Sequence, residues 1–142
     1  PMTAYPRKDD FVYYVGRFLT AEWFYTREGK MSGADYYKAL PAPDRGRFYQ
    51  IVKLLCESPF GTFLPKTMYR IEDNENKIYA LKPNDERFFN FTAVGGKIII
   101  TNAYHKHSQQ MTKIDLECLK VAVRCRQDYL VRTEEGTYYE KN

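Results

Sequence analysis

The sequence lacks an apolar run long enough to cross a bilayer, which takes about 20 residues in a helix. The longest such run near its start, residues 11–15, is broken by Gly16 and Arg17, and no secretory signal is visible. Cysteine is also scarce: there are three, with no CxxC or Cys/His spacing typical of a disulfide framework or a zinc site. We therefore expect a cytoplasmic protein with reduced thiols, no membrane contact, no metal and no cofactor.

Several enzyme signatures are missing as well. The sequence contains no phosphate loop, no GxGxxG, no GxSxG and no HExxH, which are the patterns of nucleotide-binding folds, serine hydrolases and zinc proteases. Histidine occurs only twice, and the 18 acidic residues show no distinctive pair. Any chemistry must therefore come from a less familiar arrangement of side chains.

What is present is the composition of an ordinary globular domain. Of the 142 residues, 44% are hydrophobic and 28% are charged, and a chain of this length can bury a core without disulfides or metals. We expect a loose N-terminal arm over residues 1–16, a single domain over residues 17–132, and a polar, acidic tail over residues 133–142.

Hydrophobic periodicity predicts an α+β fold, in which an N-terminal strand and two helices pack on an antiparallel sheet of about four to five strands and a C-terminal helix follows. Capping-box-like starts at Ser32 and Thr112 predict two of the helix beginnings. The isoleucine run at residues 98–100 predicts a strand covered on both faces. The predicted strands lie at residues 17–26, 68–71, 77–81, 87–92 and 97–104, and the helices at 32–40, 45–57 and 112–130.

Positive charge is concentrated in one part of the chain. The net charge is +4, and the segment 77–113 holds six basic and two acidic residues, which accounts for the whole excess. Such a segment favours an anionic partner such as nucleic acid. A solvated sheet edge carrying lysines explains it equally well.

The first candidate site is the segment His105, Lys106 and His107, just beyond the longest predicted strand. Loop ends are where a rigid scaffold presents functional side chains, and histidine can transfer protons near neutral pH. The alternatives are a plain solvated loop or a weak metal site, although two histidines without a third ligand are poor evidence for metal.

The second candidate is Arg87, with Lys82 across the preceding turn and Lys113 in the first turn of the last helix. An arginine can donate two parallel hydrogen bonds to a phosphate. The alternative for Arg87 is a surface ion pair with Glu86 or Asp85.

Seven segments follow one another along the chain in the order KIYALK, PNDE, RFFNF, VGGK, IIITNAY, HKH and MTKIDLECL. In their order and spacing they resemble the RelE/HigB-like toxins of bacterial toxin–antitoxin systems, particularly the phage-derived HigB-like branch. The likeness covers residues 17–130. It implies a RelE-like fold and a metal-independent, ribosome-dependent mRNA endoribonuclease, in which the ribose 2′-hydroxyl attacks the adjacent phosphate. It also implies a helix-turn-helix antitoxin as partner, beside mRNA on the ribosome, and leaves a homodimer open.

Carried over by position, the resemblance makes Arg87 the residue that stabilises the phosphorane, His105 or His107 the general base or acid, and Lys82 and Lys106 the phosphate-binding residues. Lys113 is a further candidate RNA-binding residue, from its place in the first turn of the last helix. The chain departs from the family pattern where His-Lys-His replaces two adjacent lysines. That departure either preserves catalysis by other groups or marks an inactive member. Two alternatives to the nuclease therefore stay open, a ParE-like toxin that inhibits a protein target such as gyrase, and an inactive relative that binds nucleic acid.

Overall fold

The computed structural model of the chain describes residues 3–141. It contains four helices and six strands. In chain order these are α1 (Lys8–Phe11), β1 (Val12–Val15), β2 (Thr20–Trp23), α2 (Ser32–Lys38), α3 (Ala42–Cys56), β3 (Tyr69–Asp73), β4 (Ile78–Leu81), β5 (Glu86–Ala93), β6 (Lys97–His105) and α4 (Lys113–Glu135). Within this range, none of the helices combines the length and hydropathy that crossing a membrane requires.

The strands form one mixed sheet in the order β1-β2-β6-β5-β4-β3. The predicted α+β class and the antiparallel meander of β3 to β6 are confirmed. The prediction of an antiparallel sheet with four to five strands is wrong in two respects. A sixth strand, β1, lies at one edge, and β2 runs parallel to β6 because α2, α3 and the meander intervene between these neighbours.

Residues 8–15, which the sequence assigned to a loose arm, form α1 and β1. Strand β1 pairs antiparallel with β2. The Tyr13 ring packs edge-on against Trp23, Tyr37 and Phe48, with ring centroids 5.1 to 5.3 Å apart. Packing aromatic rings in this way offsets the conformational entropy that is lost when the segment becomes ordered. The polar residues at the beginning of the segment gave no sign of this packing.

The sheet carries a hydrophobic core on each face. Ile98 and Ile100 belong to the core beneath α2 and α3, whereas Ile99 belongs to the core beneath α4. We call these the α2/α3 face and the α4 face. The prediction that residues 98–100 form a strand covered on both faces is therefore confirmed.

One of the two predicted capping boxes exists. The Thr112 hydroxyl accepts a hydrogen bond from the Asp115 backbone, and the Asp115 carboxylate accepts one from the Thr112 backbone. The other prediction is wrong, because α2 begins at Ser32 itself and the Ser32 hydroxyl donates to the Thr101 carbonyl oxygen. Ser32 instead links α2 to the sheet.

The predicted polar tail is part of the packed structure. Helix α4 continues to Glu135 and ends at Gly136, whose φ of 75° suits glycine. Beyond it, Tyr138 is fully buried and stacks on Tyr25 with ring centroids 4.2 Å apart. The acidic composition of this segment masked the tyrosine that anchors it.

Candidate functional site

The predicted site residues that follow or begin strands meet at one end of the sheet. Lys82 follows β4, Arg87 is the second residue of β5, and Lys106 follows β6. The Lys106 backbone N–H donates to the Asp85 carbonyl oxygen at 2.7 Å, which continues the β5–β6 pairing past the strand end. The antiparallel meander therefore brings together residues that are up to 24 positions apart.

A β-bulge decides which face each side chain occupies. Phe88 lies opposite Ala103 and Asn90 opposite Ile100, so β6 holds one more residue than β5 between these pairs. The extra residue reverses the alternation of β6 beyond it. As a result Tyr104 lies on the α4 face, although Ile98 and Ile100 lie on the other.

Arg87 and His105 consequently lie on opposite faces of the sheet. Arg87 pairs with Tyr104 and shares the α4 face with it, while Glu86 pairs with His105. Adjacent side chains of a strand project to opposite faces, which places His105 on the α2/α3 face. The structure therefore does not bring the predicted catalytic residues Arg87 and His105 together on one surface.

Four basic residues gather on the α4 face at this end of the sheet. Arg70 of β3 lies opposite Ala80, whose side chain belongs to the α4-face core. Burial lowers the pKa of Lys82, and the neighbouring positive charges of Arg87, Arg70 and Lys106 lower it further. We call Arg70, Lys82, Arg87 and Lys106 the cationic cluster.

Arg87 is held by backbone atoms. Its Nη1 atom donates to the Asn84 and Glu86 carbonyl oxygens, each at 2.8 Å. Among residues 3–141, no carboxylate lies within 4.0 Å of its guanidinium nitrogens, and its Nε and Nη2 atoms make no hydrogen bond to the described residues. The surface ion pair with Glu86 or Asp85 is therefore absent from this part of the chain, and the arginine is oriented but not neutralised.

Lys82 is also oriented by a backbone carbonyl group, and it has no acidic partner within 4.0 Å in the described part of the chain. Its ammonium group donates to the Lys66 carbonyl oxygen at 3.0 Å. Of the groups that shift the pKa of Lys82, only Glu72 favours the charged form, and Glu72 also lies 4.0 Å from Arg70. The resulting site has a local excess of positive charge, which an anion would relieve.

Lys106 differs from these two residues because it is neutralised. Its ammonium group lies 2.8 Å from the Asp115 carboxylate and also donates to the Gln110 carbonyl oxygen, and its side chain is only 16% exposed. Burial raises the pKa of Asp115, but hydrogen bonds from Lys106 and Thr112 outweigh burial and hold that pKa below its usual value. Lys106 thus joins the loop to the beginning of α4, and its predicted RNA contact has less support than those of Lys82 and Arg87.

The predicted RNA-binding residue Lys113 is exposed at the first position of α4. Its side chain makes no hydrogen bond or ion pair to the residues that the structure describes. No contact ties it to the cationic cluster.

The two histidines belong to a second cluster on the α2/α3 face. The His105 Nδ1 atom lies 2.6 Å from the Glu86 carboxylate, and the Tyr36 hydroxyl donates to the other oxygen of that carboxylate. The ring of His107 packs edge-on against His105 with centroids 4.7 Å apart. The hydrogen bond to Glu86 raises the pKa of His105. We call Tyr36, Glu86, His105 and His107 the histidine cluster.

Sequence reasoning missed Arg70 in the first cluster and Tyr36 and Glu86 in the second. Arg70 was open to prediction, because pairing the strands on either side of the turn at residues 72–76 places it diagonally beside Lys82. Tyr36 was not, since nothing local to α2 indicates contact with a residue 50 positions away.

Neither a protein-family model nor a curated protein sequence matches this chain. Within residues 3–141, no group of three or more histidine, cysteine, aspartate or glutamate side chains is placed to hold a metal ion.

Proposed function

We propose that this chain is a RelE/HigB-like toxin that cleaves mRNA on the ribosome without a metal ion. One observation carries the proposal: Lys82 and Arg87 lie together on one face at the end of the sheet, and neither forms an ion pair with an acidic residue among residues 3–141. Phosphodiesters are the anions that such a pair suits, because arginine recognises phosphate geometry and lysine adds a point charge.

In the proposed reaction the ribose 2′-hydroxyl loses its proton and attacks the adjacent phosphorus. The bond to the 5′-oxygen then breaks, and that oxygen takes up a proton, leaving a 2′,3′-cyclic phosphate and a 5′-hydroxyl end. Arg87 stabilises the extra negative charge of the phosphorane through its Nε and Nη2 donors. Such preorganised donors act most strongly when they need no rearrangement, and the two carbonyl contacts of Nη1 hold this guanidinium in position.

Lys82 is the better candidate for proton transfer on this face. Its pKa is lowered by burial and by neighbouring cations, so its ammonium group can bind the phosphate while charged and gives a proton to the leaving 5′-oxygen more readily than an ordinary lysine. His105 and His107 lie at the same end of the sheet as Arg87 but on its opposite face. In this proposal they contact a neighbouring nucleotide of the same strand.

The experiment is to add the purified protein to a bacterial translation reaction and map the 5′ ends of the mRNA. We expect cuts with 5′-hydroxyl ends when ribosomes are present, and no cuts in a matched reaction without ribosomes. Arg87→Ala should lower the cleavage rate by about a hundredfold or more, the usual effect of losing one transition-state donor. Arg124→Ala, which changes an exposed arginine of α4, should cleave normally. Full cleavage by Arg87→Ala would remove this site from the mechanism.

A second candidate function is RNA binding without cleavage. The observation that favours it is the separation of Arg87 from the histidine cluster, which leaves the phosphate-binding face without imidazole groups. The same experiment distinguishes the two, because an inactive relative would bind RNA in an Arg87-dependent manner and leave every transcript intact.

A further inference from the structure

A groove of about 600 Å³ lies on the α2/α3 face, beside β3. One wall is the segment after α3, with Phe60, Phe63 and Leu64, and the other wall is the sheet, with Ile71 and Tyr79. Phe63 is 89% exposed and Phe60 is 73% exposed. Two neighbouring aromatic rings so exposed beside an apolar groove are typical of an interaction surface rather than of scattered surface residues.

Strand β3 is an edge strand, since β4 is its only partner within the described part of the chain. Its outer edge therefore presents backbone donors and acceptors to whatever enters the groove. A second extended chain can pair with such an edge, while its alternate side chains fill adjacent pockets. The groove and the strand edge together match an extended polypeptide.

The charge of the groove indicates which kind of polypeptide it is suited to bind. Lys66 is among its lining residues, and none of the described lining residues is an aspartate or glutamate. Arg70 lies at the same strand edge, with its side chain on the α4 face. Lys66 also adjoins the cationic cluster, since its carbonyl oxygen accepts the hydrogen bond from Lys82. An occupant with carboxylates beside its apolar anchors is complementary to this lining.

A second copy of this chain fits poorly. A two-fold dimer buries the same patch of both copies, which would bring Lys66 and Arg70 towards the same residues of the partner. RNA also fits less well, because a nucleotide chain has no ladder of backbone N–H and C=O groups with which to pair with the edge of β3. A peptide can pair with that edge and at the same time seat apolar side chains against Phe60 and Phe63.

We propose that this groove is the docking site for an extended segment of a protein partner, in which apolar and acidic residues alternate. The segment pairs with the outer edge of β3 and seats its apolar side chains in the groove against Phe60, Phe63 and Ile71. The carboxylates that alternate with them lie on the other face of the sheet, beside Arg70. This proposal does not depend on RNA cleavage, because the groove lies on the face opposite Arg87.

The test selects peptides that bind the full chain from a display library of random twelve-residue sequences. The affinity of the selected peptides for the full chain is then compared with their affinity for the variant Ile71→Lys. Ile71 is 37% exposed at the strand edge, so a lysine fits there without disturbing the core. A second variant, Phe63→Ser, changes a ring that is almost fully exposed. The matched control is Ile114→Lys, which changes an exposed isoleucine at the beginning of α4.

We expect the enriched peptides to carry net negative charge and alternating apolar residues. They should bind the variants Ile71→Lys and Phe63→Ser at least about tenfold more weakly than they bind the original chain. Their affinity for Ile114→Lys should equal their affinity for the original chain. Enrichment of cationic peptides, equal binding to the groove variants, or no enrichment at all would overturn the proposal. A result with single-stranded RNA could also overturn it. If an RNA oligonucleotide bound the groove variants more weakly than the original chain, but bound Arg87→Ala as tightly, the groove would be an RNA site.

Discussion

His105 lies directly opposite Glu86 across the β5–β6 pair, with 2.6 Å between its Nδ1 atom and a carboxylate oxygen of Glu86, whose side chain is almost completely buried. The Tyr36 hydroxyl donates to the other oxygen of the same carboxylate. The imidazole is thus tied through Glu86 to α2, while about half of its own surface stays exposed. The protonation of His105 therefore depends on its contact with the Glu86 carboxylate.

The pKa of His105 should lie above the usual histidine value and should fall in Glu86→Gln, because the hydrogen bond to Glu86 is the main cause of the shift. NMR titration of the imidazole resonances measures it directly. A raised folded-state pKa means that the folded chain holds this proton more tightly. Its contribution to stability is therefore complete below the unfolded value of about 6.5 and is lost as the pH rises through the folded value.

The control for that titration is Glu117→Gln, which changes an exposed carboxylate of α4. It should leave the His105 titration unchanged. An equal His105 pKa in the original chain and in Glu86→Gln would show that the contact does not persist in solution.

RNA affinity should depend on salt through Lys82 and Arg87. For single strands, the slope of log K against log salt concentration is about 0.7 for each phosphate contact. Lys82→Ala and Arg87→Ala should therefore each reduce the slope by about 0.7, as measured by fluorescence anisotropy with a single-stranded RNA. Lys53→Ala, an exposed lysine of α3, should have the original slope. A slope unchanged by both site variants would rule out phosphate contact at the cationic cluster.

The C-terminal segment should contribute strongly to stability through Tyr138. Its ring is fully buried and stacks on Tyr25, and its hydroxyl accepts a hydrogen bond from the Tyr25 backbone N–H at 3.1 Å. Tyr138→Ala should lower the free energy of unfolding by about 3 to 5 kcal/mol, the usual range for deleting a buried aromatic ring. Urea denaturation measures this, and Glu140→Ala, an exposed neighbour, should change it by less than about 0.5 kcal/mol. A small effect of Tyr138→Ala would mean that the segment is detached in solution.

Two glycine-to-alanine changes should have opposite effects. At Gly16 a Cβ atom would lie 2.5 Å from both the Cβ atom and the carbonyl oxygen of Cys56, so Gly16→Ala should destabilise the chain by about 1 to 3 kcal/mol. At Gly46, inside α3, a Cβ atom would meet nothing within 4 Å, so Gly46→Ala should stabilise the chain by about 0.5 to 1 kcal/mol. Thermal unfolding should show a lower Tm for the first and a higher Tm for the second. A rise in Tm for Gly16→Ala would contradict the close approach of β1 to the end of α3.

Much of the fold could be predicted because the signals are local. The Thr112 capping box, the buried run at residues 98–100 and the tight turns of the meander depend on residues within a few positions of one another. Strand β1 and the packing of Tyr138 could not, because their burial depends on partners such as Trp23 and Tyr25 that are distant in sequence or separated by polar residues.

The sequence by itself determined the α+β class, the meander, the last helix and the gathering of Lys82, Arg87 and Lys106 at one end of the sheet. Strand alternation and turn residues dictate the meander and this gathering, and the capping box at Thr112 dictates the beginning of the last helix. Only the tertiary structure decided the side of the sheet on which each candidate lies. The single extra residue of β6 beyond Ile100 inverts the alternation of that strand. It places Tyr104 beside Arg87 and turns His105 towards Glu86, because a strand has a period of two residues and one insertion moves every later side chain to the other face.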